Sequence, residues 1–165
     1  MIIKIAFYKG PGSWINKIVR WWTKSKYSHA ELILPNEITW ISISPVLTGK
    51  VSARSIYDVK NLQDWDFLSF ELSWRKPVRD YQLKQLNSFI SETNGAKYDW
   101  TGMICSQIFP YLIKHRDKWY CSEWIGHALV KARIVMWDDL YIYRTPNLSP
   151  GKLYDVLKNY KPNYK

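Results

Sequence analysis

Two short segments, Tyr27-Ser28-His29-Ala30-Glu31-Leu32 and Trp119-Tyr120-Cys121-Ser122-Glu123-Trp124, carry the residue types of thiol chemistry. The first reads as a strand opening on a histidine, the second as a helix opening on a cysteine. A cysteine at a helix N-terminus faces unpaired N–H groups and the positive end of the macrodipole, both of which favour the thiolate. A histidine on a neighbouring strand can take its proton and later pass it to a leaving group. Nucleophile plus acid–base partner is the minimum for acyl transfer through a thioester, so the expected activity is that of a cysteine hydrolase.

Of the three histidines, His29 suits Cys121 best. His127 lies on the same helix, about 600° of rotation further on and so roughly 120° off the cysteine's face. His115 sits in the charged run Lys114-His115-Arg116-Asp117-Lys118 and is expected in water. Taken singly, a strand histidine is more often structural, and a cysteine at a helix start is more often a small buried residue. It is the two contexts together that point to catalysis. The base needs an orienting group. Glu31 shares the strand face of His29, with Cα atoms about 7 Å apart, where it would favour the imidazolium. Ser42 and Ser44, on one face of the next strand, are the alternatives. Glu123 stands in the first turn of the Cys121 helix, where a carboxylate complements the dipole but opposes the thiolate, so it is assigned no catalytic role. Backbone N–H groups at that helix start are the first choice for the oxyanion. The Tyr98 hydroxyl is a candidate second donor, with a packing role for that ring equally open.

These side chains need a scaffold, and the hydrophobic pattern outlines one. Ile2 to Tyr8 reads as a strand ending at the turn Gly10-Pro11-Gly12. Ser13 can cap a helix from Trp14 to about Thr23, with Trp14, Ile18, Trp21 and Trp22 near one face. Ser28–Leu34 and Ile38–Ser44 read as strands joined by a tight Pro35-Asn36-Glu37 connection and pairing antiparallel. Gly49 to Asn61 is mixed, a further strand with loops, and Trp65–Leu72 is another strand. Pro77 suits the first turn of a helix running to about Thr93 and stopped by Asn94-Gly95. Further helices are expected from Asp99 through Ile108, from Tyr120 or Cys121 to about Ala132, and near Pro150 to Tyr160. Strands come first and helices later, which argues an α+β fold around an antiparallel sheet, with residues 1–165 forming one domain.

The bulk composition narrows partners and compartment. A net charge of +10 implies attraction to anionic polymers or an anionic membrane surface. No zinc-finger, basic-zipper or RNA-recognition signature accompanies that charge. Ten tryptophans and twelve tyrosines are many for this length; core and solubility account for most of them, and amphipathic aromatics also line grooves for sugars, peptides or lipid headgroups. Two cysteines make no disulfide framework, and Cys105, in the apolar stretch Trp100 to Ile113, is expected to be a buried small hydrophobe. That stretch is too short to span a bilayer, and the N-terminus lacks signal-peptide features. Cytoplasmic synthesis is therefore expected, and delivery elsewhere would need another route, such as a phage particle, cell lysis or a dedicated secretion system. The cysteines and histidines lack zinc spacing and no phosphate loop is present, so neither metal nor cofactor is expected.

Tyr27-Ser28-His29, Lys97-Tyr98-Asp99-Trp100 and Tyr120-Cys121-Ser122-Glu123, in that order, resemble the circularly permuted papain-like amidases of the NlpC-type superfamily. Within it the chain looks most like the YiiX-like proteins and small phage-encoded members. In unpermuted enzymes the cysteine precedes the histidine; here the order is that of the permuted branch. The resemblance covers roughly Ile3 to Ala132. It implies a permuted papain-like fold, an antiparallel sheet packed against helices with the nucleophile at a helix N-terminus. Residue by residue it implies Cys121 as nucleophile, His29 as general base and acid, and Tyr98 near the oxyanion site. In much of the family a polar residue on the strand after the histidine orients the ring. That strand offers Ser42 and Ser44, so the third member stays open between Glu31 and these serines. The implied substrates are amides, including peptidoglycan stem peptides. Relatives resembling lecithin retinol acyltransferase act on lipid acyl groups with the same dyad, and a non-catalytic basic binding protein is the reading from another class.

Overall fold

The isoleucine-rich run Ile2–Tyr8 forms β1, an inner strand of a five-stranded sheet in the computed structural model, which describes residues 1–44, 47–99, 118–136 and 148–160. On one side β1 pairs with β2 (His29–Ile33), followed by β3 (Thr39–Ile43) and β4 (Val51–Ser55); on the other it pairs with β5 (Trp65–Glu71). The order is β4-β3-β2-β1-β5, and every neighbour is antiparallel. The turn between β2 and β3 is set by Asn36, whose Oδ1 accepts from the N–H groups of Ile38 at 3.1 Å and Thr39 at 2.9 Å. This side-chain turn lets Glu37 adopt φ +60° without a glycine.

Four helices stand among the described residues: α1 (Trp14–Thr23), α2 (Lys76–Thr93), α3 (Cys121–Lys131) and α4 (Pro150–Asn159). Pro77 opens α2, and Gly95 at φ +79° follows its end. Ser149 caps α4 by accepting from the Lys152 N–H at 3.3 Å. A short parallel ladder joins β6 (Lys97–Tyr98) to β7 (Lys118–Trp119), with the Asp99 N–H donating to the Trp119 carbonyl at 2.9 Å. The expected α+β class and antiparallel sheet are therefore found. Most element ends fall within a residue of where the pattern placed them. The mixed stretch after Gly49 resolves into β4 and a 3-10 turn at Ile56–Asp58. The helix expected through Ile108 lies outside the described residues beyond Asp99, as do Cys105 and His115.

The two faces of the sheet differ. Ile3, Ile5, Phe7, Ala30, Leu32, Ile41 and Ile43 face the helices and pack with Leu86 and Phe89 of α2, Ile125, Ala128 and Leu129 of α3, and Leu153 and Leu157 of α4. α3 is buried along most of its length, which explains why its sequence is apolar around most of its circumference. Two of its buried polar groups are bonded: Trp124 Nε1 donates to Thr93 Oγ1 at 2.9 Å, and Ser122 Oγ donates to the Leu148 carbonyl. On the opposite face Ala6, Ile33, Trp40 and Trp65 form a smaller cluster.

The entry to β2 is anchored separately. The Tyr27 hydroxyl donates to Asp66 at 2.6 Å, and Asp66 also receives Lys9 at 2.5 Å and Lys26 at 3.0 Å. These donors hold the Asp66 carboxyl well below the usual range despite partial burial. The Tyr27 ring packs on Phe7 and Tyr154. If the α3–sheet contact is the main source of stability, Ile125→Ala, at a fully buried position, should lower the unfolding free energy by about 2–5 kcal/mol. Urea denaturation measures it, and a loss under about 1 kcal/mol would show that the contact matters little.

Candidate active site

Strand parity puts His29, Glu31 and Ile33 on the sheet face turned away from α3. Tyr8 lies opposite His29 and Ala6 opposite Glu31 in the β1–β2 register. On β3 the same face carries Trp40 and Ser42, and on β4 it carries Arg54, paired directly with Trp40. A carboxylate on this face is therefore brought to a hydroxyl and a guanidinium by the ladder itself.

Glu31 is fully buried, and both its oxygens are occupied. Oε2 accepts from Arg54 Nε at 2.8 Å and lies 2.8 Å from Nη2. Oε1 accepts from Ser42 Oγ at 3.0 Å and stands 3.1 Å from His29 Nε2. Ser42 Oγ is also 3.3 Å from Nε2. An unpaired carboxylate there would cost several kcal/mol; this one is met on every side by donors. Arg54 is held in turn over the rings of Trp40 and Trp65, 5.4 and 5.6 Å from their centroids.

Cys121 is the first residue of α3, and its N-cap, Tyr120, makes no side-chain capping bond. The N-cap side chain thus does not compete for the first-turn N–H groups. Burial pushes the thiol pKa up, but the His29 imidazolium and the backbone N–H groups of Ala30 and Ser122 outweigh it and bring it below the ordinary value. For His29 burial acts downward, yet Cys121 and Glu31 together raise its pKa to about 10. Both shifts favour the thiolate–imidazolium form of the pair. With Nε2 engaged by Glu31 and Ser42, Nδ1 is the ring nitrogen left for the sulfur. The Tyr98 hydroxyl is kept protonated by burial and by the nearby Cys121, Tyr120 and Asp99, which leaves it a hydrogen-bond donor near the sulfur.

A cleft of about 380 Å³ leads to this group, lined by Ile15, Asn16 and Val19 of α1 and by Ser28, His29, Trp65 and Tyr98. Cys121 is only 3% exposed, against 12% for the His29 side chain, and it is not part of the lining. A reagent meets the imidazole and Tyr98 before the sulfur. Ser28 Oγ is buried in the cleft wall with no hydrogen-bond partner among the described residues, an arrangement that costs about 1–3 kcal/mol unless a ligand atom meets it.

Of the orienters left open by the sequence, Glu31 and Ser42 both reach Nε2, and they are bonded to each other; Ser44 is buried and lines the cleft. Glu123 stands in the first turn of α3, and His127 is buried against the Trp119 ring at 4.9 Å. Sequence reasoning missed Arg54 and Ser28. The alternation Val51-Ser52-Ala53-Arg54, aligned with Trp40 on β3, was the signal for Arg54; Ser28 carried none beyond its place next to His29.

No protein-family model matches the sequence, and no curated protein matches it. The fold is similar to the crystal structure of metalloprotein YiiX from Escherichia coli O157:H7 (DUF1105), with a TM-score of 0.56 over 92% of this chain and 90% of that one. At 16% identity the likeness is one of fold, in line with the YiiX-like resemblance of the three motifs. Among the described residues no group of three or more His, Cys, Asp or Glu side chains is placed to hold a metal ion. The Glu31 oxygens and His29 Nε2 already bond to protein groups, so the site does not fit a metal and no step below uses one. None of the described helices is long and apolar enough to cross a membrane.

Removing one member of the Glu31–Arg54 pair should be far worse than removing both. Arg54→Met should destabilise by about 3–5 kcal/mol by stranding a buried carboxylate. Glu31→Gln added to Arg54→Met should recover a good part of that loss. Chemical denaturation of the two single variants and the double variant reads the coupling; strictly additive losses would show that the pair is not coupled.

Proposed function

We propose that the protein is a cysteine hydrolase of the permuted papain-like type, an amidase or peptidase acting through a thioester. The observation that carries this reading is an imidazole held at Nε2 by Glu31 and Ser42 next to a cysteine that opens a helix. That arrangement shifts the Cys121 thiol downward and the His29 imidazole upward to about 10. A cysteine that merely fills a core would be raised by burial and would need no charged partner.

The steps follow from the positions. The Cys121 thiolate attacks the amide carbonyl, forming a C–S bond and an oxyanion that accepts from α3 helix-start N–H groups and the Tyr98 hydroxyl. The His29 imidazolium gives its proton to the nitrogen as the C–N bond breaks and the amine leaves. Neutral His29 then takes a proton from water, which attacks the thioester. The acid departs, restoring thiolate and imidazolium. Glu31 and Ser42 fix the ring by Nε2 throughout, and Arg54 fixes Glu31, so these three are positioning residues.

The motif resemblance favours amides of the bacterial cell wall, such as peptidoglycan stem peptides, as substrates. The same dyad acting on an ester or a lipid acyl group is the second reading. It is favoured by one observation: α1, which lines the cleft, turns Trp14 and Trp21 to solvent.

The pH dependence distinguishes a poised pair from an ordinary thiol. Iodoacetamide labelling of Cys121, read by peptide mass spectrometry, should already be rapid near pH 6. His29→Ala should slow it there on the order of a hundredfold, because an unassisted thiol is almost wholly protonated at that pH. Equal, slow labelling in both proteins would remove the ion pair and with it this function. Turnover should fall as pH rises through about 10, where His29 loses the proton it must donate. The linkage has the same sign: a raised folded-state value stabilises the fold fully below the ordinary 6.5, and the contribution is lost as pH rises through about 10. Ser42→Ala should slow turnover roughly tenfold while leaving labelling near pH 6 within about threefold, since it loosens ring orientation more than charge.

A further inference from the structure

α1 is built the wrong way round for a helix of a water-soluble fold. None of its residues is buried. Trp21, Trp14, Ile18 and Trp22 fall within an arc of about 100° on the helix, and all four are exposed, Trp14 at 70% and Trp21 at 80%. The adjoining arc, Ile15, Val19 and Asn16, lines the cleft that ends at His29. Arg20 is consumed within the fold, donating to the carbonyls of Lys9, Gly10 and Pro11 and so pinning the helix to the turn after β1. Lys17, on the rim of the tryptophan face, and Lys24, just beyond the helix end, are exposed and in no ion pair among the described residues. From Trp14 to Thr23 there is no acidic residue.

An amphipathic helix normally turns its apolar arc to the core. Here that arc faces out, which requires an occupant, and the chemistry of the rim selects one. Indole rings combine apolar area with an N–H that favours the headgroup level of a bilayer. Unpaired lysines at the edge of such a face favour an anionic surface, and the chain's net charge of +10 adds long-range attraction of the same sign. We propose that α1 is an interfacial helix that seats the protein on an anionic lipid surface. Because the neighbouring arc of the same helix lines the cleft, the seat places the cleft beside that surface. That the cleft then draws its substrate from the membrane interface rests on the hydrolase reading; the seat itself does not.

Sedimentation with vesicles tests it, using phosphatidylcholine alone and phosphatidylcholine mixed with phosphatidylglycerol. The full chain should bind the mixed vesicles and be released by salt, with little binding to the neutral ones. Trp14→Ser/Trp21→Ser and Lys17→Glu/Lys24→Glu should each weaken binding roughly tenfold or more. Both leave the core untouched, so thermal unfolding should match the parent. Cys121→Ser should bind as the parent does, which separates failure of the seat from failure of the chemistry. The proposal is overturned if the parent ignores anionic vesicles. It is equally overturned if the tryptophan variant binds undiminished, since net charge alone would then suffice. A marked drop in melting temperature, or a parent dimer that the tryptophan variant dissolves, would show that the chain itself or a second copy covers the face.

Discussion

The buried Glu31 carboxylate is the constraint on which the rest of the site depends. A negative charge inside a small α+β fold is tolerable only if donors meet it at fixed positions. The sheet supplies them from three strands: His29 from β2 itself, Ser42 from β3 and Arg54 from β4. Each donor is then immobilised for a reason of its own, Arg54 by the Trp40 and Trp65 rings and Ser42 by its place in the ladder. Slipping any of these strands by one residue would turn its donor to the opposite face and strand the charge. The register of half the sheet is thus tied to one ion.

The charge also works outward. Glu31 favours a protonated His29, and that cation shifts the Cys121 thiol at the start of α3 toward the thiolate. Signs alternate from Arg54 through Glu31 and His29 to the sulfur, so each group lowers the cost of burying the next. The chain of charges passes from one face of the sheet to the helix-bearing side at the start of β2, where the Ala30 N–H meets the sulfur. The dyad accordingly sits at a strand end and not in mid-sheet.

Much of this was legible in the sequence, for reasons particular to each element. The alternation of Thr39, Ile41 and Ile43 against Trp40 and Ser42 reports a sheet whose two faces have different neighbours, and the structure has Ile41 and Ile43 against the helices and Trp40 in the other cluster. The choice between Glu31 and Ser42 was not legible because it was not a choice: both touch Nε2, and each bonds the other. Arg54 was hidden because its partner is distant in sequence and its strand is short. The apolar arc of α1 shows in the spacing of Trp14, Ile18, Trp21 and Trp22. Whether such an arc faces inward or outward depends on what the rest of the chain packs against, which periodicity does not encode.

The parallel pairing of β6 with β7 has a consequence for the geometry of the site. The two strands hold Asp99 and Trp119 in direct hydrogen-bond contact, with Tyr98 just before the first and Cys121 just after the second. The described residues on either side of 100–117 are therefore fixed next to each other. Closing a longer excursion between fixed ends costs little, about 0.6 kcal/mol for each doubling of its length. The ladder fixes how Tyr98 stands to the start of the helix bearing the sulfur. The register of two short strands, rather than the length of chain between them, is what sets the spacing of the two site residues.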